Sequence, residues 1–173
     1  MLDRVVDALS HLKPASDEEE PEIRIAIVGR PNVGKSSTVN AILNLPRMIV
    51  SNVPGTTRDA VDTRFRFKHH NLRIVDTAGL RKRTKQKEAV EYYSNLRAYD
   101  SIDRCDVAIV LVDAESGLEA QDKKILEYCA DNRKGLIVAL NKWDLIEKDH
   151  KTYKEFELDT RDELKRMQYV EFL

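Results

Sequence analysis

Apolar positions recur along this chain in two rhythms, and the alternation between them sets the expected element order. Residues 23–28 (Ile-Arg-Ile-Ala-Ile-Val) read as a short strand that runs into Gly29. Residues 35–43 read as a helix that ends at Leu45-Pro46, since proline pushes its predecessor out of the helical region. Residues 63–68 alternate Thr63, Phe65 and Phe67 with Arg64, Arg66 and Lys68, the period of a strand with one covered face. His69-His70-Asn71 then predicts a hairpin turn into a strand at 72–75. Residues 107–112 and 136–140 are unbroken apolar runs, as expected of parallel strands buried on both faces. Between them, residues 118–129 read as a helix with Ile125, Leu126 and Cys129 on one side, and residues 153–167 as a more charged helix. This alternation predicts an α/β fold: a mostly parallel sheet with one antiparallel edge strand and helices on both faces. Ligands of such sheets bind beyond the carboxyl ends of the strands.

The first 22 residues have a different character. Val5, Val6, Leu9 and Leu12 are spaced for a short helix over 2–12, and an acidic, proline-bounded stretch follows to Glu22. The expected division is an N-terminal helix and linker over 1–22, then one domain over 23–173. With Lys+Arg 29 against Asp+Glu 30, the net charge of -1 argues against a globally basic nucleic-acid binder. It leaves room for a local patch such as Arg81-Lys82-Arg83 with Lys85 and Lys87. Asp3 and Arg4 interrupt what would be the apolar part of a signal peptide, and no apolar run is long enough to span a membrane. The expectation is a cytoplasmic, monomeric protein without a membrane partner. Cys105 and Cys129 sit inside apolar patterns and read as packing thiols. His69 and His70 read as turn residues, with no partner at metal-site spacing.

Three motifs fall at strand ends. Gly29-Arg30-Pro31-Asn32-Val33-Gly34-Lys35-Ser36 matches the G-x-x-x-x-G-K-[ST] pattern between a strand and a helix, which makes the fold a P-loop NTPase. Its glycines let successive N–H groups curl around phosphate oxygens, and the helix N-terminus adds partial positive charge. Gly29, Asn32, Val33, Gly34, Lys35, Ser36 and Ser37 are the expected phosphate cradle. Lys35 would reach the β- and γ-phosphates, and the Ser36 hydroxyl would ligate Mg2+. Asp76-Thr77-Ala78-Gly79 closes the strand 72–75: Asp76 can hold Mg2+ through its water shell, and Gly79 can offer an N–H to the γ-phosphate. Asn141-Lys142-Trp143-Asp144 ends the strand 136–140. Asp144 there can accept from N1–H and the exocyclic amine of guanine, whereas adenine would leave its carboxylate unpaired. Asn141 and Lys142 would buttress this loop, and Trp143 reads as packing.

The order and spacing of these motifs resemble the translation-factor-type GTPases. The stretches 29–40, 54–59, 76–83 and 141–145 look specifically like the Der (EngA) family of bacterial tandem GTPases in ribosome assembly. Era and the G domain of the tRNA-modification enzyme MnmE share Pro-Asn-x-Gly-Lys-Ser and Gly-Thr-Thr-Arg. The Leu80-Arg81-Lys82-Arg83 continuation resembles Der's second GTPase domain, and the N-terminal helix and linker resemble the tail of a preceding domain. The resemblance implies a GTP-binding and GTP-hydrolysing switch in 50S subunit biogenesis, with GTP/GDP, Mg2+ and K+ as cofactors. It implies a ribosomal subunit or rRNA partner reached through the full-length protein.

By the same resemblance Asn32, Lys35, Thr57 and Gly79 carry catalysis. Ser36, Asp76 and Thr57 hold Mg2+, with Thr56 the alternative to Thr57, and Asn32 ligates K+. Residues 47–60 and 79–95 correspond to the two switch segments. Thr38 stands where the family usually has leucine. The family's further Ser-Ala-type loop and last helix find no counterpart before Leu173, so the expectation is a domain lacking its C-terminal strand and helix. Where Ras-like enzymes carry a water-positioning glutamine, this chain has Leu80. Slow, potassium-stimulated hydrolysis follows as the expectation. The alternatives are a nucleotide sensor with little hydrolysis, or an Era- or MnmE-type GTPase in rRNA or tRNA metabolism.

Overall fold

The computed structural model describes residues 22–45, 49–51, 62–77, 90–147, 149, 151–163 and 170–172. The elements, in chain order, are β1 (Ile23–Val28), α1 (Lys35–Leu43), β2 (Ile49–Ser51), β3 (Thr63–Phe67), β4 (His70–Ile74) and α2 (Val90–Arg104). They continue with β5 (Val107–Asp113), α3 (Ala120–Asp131), β6 (Gly135–Asn141), α4 (Thr152–Glu163) and β7 (Glu171–Phe172). The strands form one sheet in the order β2-β3-β4-β1-β5-β6-β7. The β4-β1-β5-β6-β7 pairs are parallel, and β3 runs antiparallel to both its neighbours.

Within the unbroken apolar runs a period of two still operates, because successive side chains point to opposite faces. Ile25 and Ile27 join Val39 and Ile42 of α1 in one core, together with Phe65, Phe67, Ile109 and Leu111. Ala26 and Val28 join Ile102 of α2 and Ile125, Leu126 and Cys129 of α3 in the other, with Val110, Val112 and Val138. Helices therefore cover both faces, as expected of an α/β sheet. Cys105 and Cys129 are buried packing residues whose thiol pKa values are pushed up by burial, to about 11 and about 12.

Four details differ from the sequence reading. The antiparallel strand β3 is not the edge, because β2 pairs outside it in the register Val50↔Phe65. The hairpin turns at Lys68-His69, with Lys68 at φ 53, and His70 already pairs with Phe67. His70 and Asn71 are only half-buried at the start of β4, where polar side chains are tolerated, which is why the His-His-Asn run did not mark the turn. Residues 90–95, placed in the second switch segment, belong to α2. Finally, the C-terminal strand expected to be missing is present: Glu171–Phe172 extends the sheet beside Ile137 and Val138, and Val170 is buried in the second core. A two-residue strand has too little pattern to be read from sequence. The expected N-terminal helix, Thr56, Thr57, Gly79 and Leu80 lie outside the described residues.

Candidate functional site

β1, β4, β5 and β6 end along one edge of the sheet, and each carries a candidate residue at its end. The loop after β1 is shaped by two close approaches. A Cβ on Gly29, at φ +143, would lie 2.5 Å from the Leu111 carbonyl oxygen of β5. One on Gly34, at φ +99, would lie 2.1 Å from Asn141 Nδ2. Glycine is required at both positions. Asn32 takes a left-handed turn at φ 63, which asparagine tolerates. Val33 points inward and is buried in the α1-side core, so the loop is pinned at its centre.

Gly34 is the N-cap of α1 and brings no side-chain cap, and no acidic residue occupies the first turn. The amides of that turn have no intrahelical acceptors, and the helix dipole favours an anion before them. Ser36 and Ser37 are exposed on this turn, while Thr38 is buried where the resemblance expected leucine. Lys35 folds back over the loop. Its Nζ donates to the Gly29 carbonyl at 2.8 Å and the Arg30 carbonyl at 2.6 Å. Burial pushes its pKa down to about 8, partly offset by the charge of Asp122. A desolvated ammonium held only by neutral carbonyls is primed to favour an arriving anion.

The end of β6 reaches across to brace the same loop. Asn141 Nδ2 donates to the Val33 carbonyl at 2.7 Å. Lys142, at φ 60, turns its ammonium onto the carboxylate of Asp113, the residue paired with Asn141 in the sheet. That contact holds the Asp113 carboxyl below its ordinary range. Trp143 meets Tyr153 of α4 edge-on, with ring centres 6.0 Å apart, as its reading as packing requires. Asp144 is exposed just beyond, in a turn closed by the Leu145 amide on the Lys142 carbonyl. Asp76 leaves the end of β4 at φ 55, with its amide donated to Asp62 Oδ1 at 2.9 Å.

Three residues of this neighbourhood escaped the sequence reading. Arg30, second in the loop, spans to the start of α3, with Nε 2.7 Å from Asp122 Oδ2 and Nη2 2.7 Å from Ser116 Oγ. Asp122 is fully buried there, and desolvation raises its carboxyl pKa despite the Arg30 partner. Asp113, at the carboxyl end of a buried strand, carried a positional signal that could have been used. Among the described residues no cluster of three His, Cys, Asp or Glu could hold a metal.

A family described as "50S ribosome-binding GTPase" matches residues 24–142, which takes in the loop after β1, the end of β4 and the start of the β6 motif. The chain belongs to this family. It is 57% identical over 154 residues to GTPase Der of Prosthecochloris aestuarii, covering 89% of this chain and 35% of that protein. It is 50% identical over 173 residues to GTPase Der of Pelodictyon phaeoclathratiforme, covering 100% of this chain and 40% of that protein. The chain thus spans well under half the length of these curated relatives. Among solved structures it resembles Era in complex with MgGDPNP and nucleotides 1506–1542 of 16S ribosomal RNA, with a TM-score of 0.64 and 25% identity. That match covers 89% of this chain and 51% of Era's. A P-loop GTPase fold therefore underlies the site, and no described helix is long and apolar enough to cross a membrane.

Proposed function

We propose that this chain binds and hydrolyses GTP, and that its two nucleotide states switch a step of 50S subunit assembly. The observation that carries the reading is the glycine-shaped, uncapped N-terminus of α1, braced by the residue that begins the guanine motif. Its phosphate half recognises any nucleoside triphosphate, and Asp144 makes the selection for guanine. The matched family supports the ribosomal role, and the likeness to Era supports contact with rRNA. The working unit is the domain over 23–173. It acts in the cytoplasm as a monomeric module.

The oxygen donors suit Mg2+, a hard cation that keeps several waters and takes one or two protein ligands. Ser36 is exposed on the first turn of α1, and Asp76 stands at the neighbouring strand end. With Thr57, or Thr56 in its place, they would hold the ion, which when bound offsets charge on the phosphates. Gly79 would donate its amide to the γ-phosphate. Lys35 exchanges its carbonyl partners for phosphate oxygens and supplies the fixed positive charge. Asn32, exposed on a left-handed turn, would offer oxygen to K+.

Leu80 can neither donate nor accept, so no glutamine orients the attacking water. Hydrolysis should therefore be slow and depend on cations around the phosphates. Replacing K+ by Na+ at constant ionic strength should slow single-turnover hydrolysis several-fold, and Asn32→Ala should abolish the difference. Equal rates in both salts would remove the potassium site. GTP binding with no turnover in either salt would favour a nucleotide sensor instead.

A further inference from the structure

We propose that Asp62 is a positioning residue that aims the Asp76 carboxylate at the nucleotide-bound Mg2+; this rests on the GTPase reading above. The parallel ladder between β4 and β1 ends at Val75, whose amide donates to the Ile25 carbonyl at 3.0 Å. The next residue leaves the sheet, and its amide must find another acceptor or remain unpaired. Asp62 provides it: Oδ1 accepts the Asp76 amide at 2.9 Å. Asp76 itself sits at φ 55, a left-handed turn that aspartate enters more readily than most residues, so its backbone keeps one direction only if something holds it. Fixing the amide fixes the backbone ahead of the Asp76 Cα, and with it the direction in which the carboxylate leaves.

The Asp62 side chain is only 3% exposed, so its charge needs partners. Its two oxygens divide the work. Oδ1 serves Asp76, while Oδ2 takes Arg104 Nη2 at 2.6 Å and lies 3.8 Å from Arg73 Nη1. Arg73 is in turn held by Glu22, which also grips Arg64 on the adjacent strand. One residue further on, the Thr63 and Thr77 hydroxyls lie 2.8 Å apart and are buried, repeating the link between the start of β3 and the exit of β4. Asp62 thus does for Asp76 what the sheet does for Val75. Arg104, at the C-terminal end of α2, sets how firmly Asp62 is held. Partners that orient a metal ligand govern affinity for the ion more than they govern the rest of the site.

Release of a fluorescent GDP analogue from the full chain, followed across free Mg2+ concentrations and in EDTA, tests this. Asp62→Ala should raise the Mg2+ midpoint about 10-fold while leaving the EDTA release rate within about two-fold of wild type. Arg104→Gln, a change at a half-exposed side chain, should shift the midpoint in the same direction by less. If Asp62→Ala does not fold, the Arg104→Gln midpoint decides on the same criterion. A midpoint unchanged in the folded variants would overturn the assignment, as would equal acceleration with and without Mg2+, the signature of a merely structural role. A wild-type chain whose GDP release ignores Mg2+ would instead overturn the nucleotide reading and take this assignment with it.

Discussion

A single ammonium illustrates how much of the chemistry is set by local burial. Lys35 has its pKa pushed down to about 8 by desolvation, against an ordinary value of 10.5. Between those two values the unfolded chain binds more protons than the folded one, so this residue makes stability rise with pH across that window. Nucleotide phosphates favour the charged form and reverse the shift. Above about pH 8, binding must therefore take up a proton, and affinity for GDP should fall as pH rises. Calorimetry at pH 8.5 in buffers of different ionisation enthalpy should give binding enthalpies that differ, and the difference should vanish in Lys35→Arg, whose charge does not titrate. Equal wild-type enthalpies in every buffer would mean that Lys35 is already charged in the free protein.

Elements built on strong periodicity were legible in the sequence, and those built on tertiary pairing were not. The helix over 35–43 and the buried strands β5 and β6 follow directly from composition and spacing. β2 and β7 have three and two residues, so only their partners define them. α2 was hidden by its tyrosines and charges, although Ala98 and Ile102 have helical spacing and pack on the second core. The motifs at Gly29–Ser36, Asp76 and Asn141–Asp144 stand at strand ends as their spacing predicts, because loop chemistry is local. The contact of Arg30 with Asp122, 92 positions later, was not legible, since no short pattern connects them. That contact fastens the loop after β1 to the first turn of α3, where Asp122 also accepts the Glu119 amide in a capping box. Asp122→Ala removes the buried partner of a guanidinium that also pairs with Glu119, and it removes the box, which should cost about 3 kcal/mol of stability. Denaturant unfolding monitored by far-UV circular dichroism would measure it, and a loss below about 1 kcal/mol would show that the existing Glu119 pair and water suffice for Arg30.

At the scale of the whole molecule, the sheet brings the phosphate loop and the guanine motif together across 108 positions of sequence, and Asn141 is the contact between them. Its amide holds the Val33 carbonyl, and the space it fills is the space that Gly34 leaves open by having no side chain. On the proposed function, the residue at the head of the base-recognition motif is thereby also part of the phosphate site. The two ends of the motif should accordingly fail in different ways. Asn141→Ala loosens the loop and leaves a half-buried carbonyl unpaired, a loss of about 1–3 kcal/mol, or roughly 5- to 150-fold in affinity. That loss should fall equally on GDP, xanthosine diphosphate and inorganic pyrophosphate, because none of them is distinguished by the loop. Asp144→Asn should leave pyrophosphate untouched, weaken GDP, and favour the xanthine nucleotide, whose C2 oxygen can accept from the new amide. Titrating the three ligands into both variants separates the roles. If Asn141→Ala weakened GDP but not pyrophosphate, Asn141 would belong to the base site alone, and the bond to Val33 would be incidental to phosphate binding.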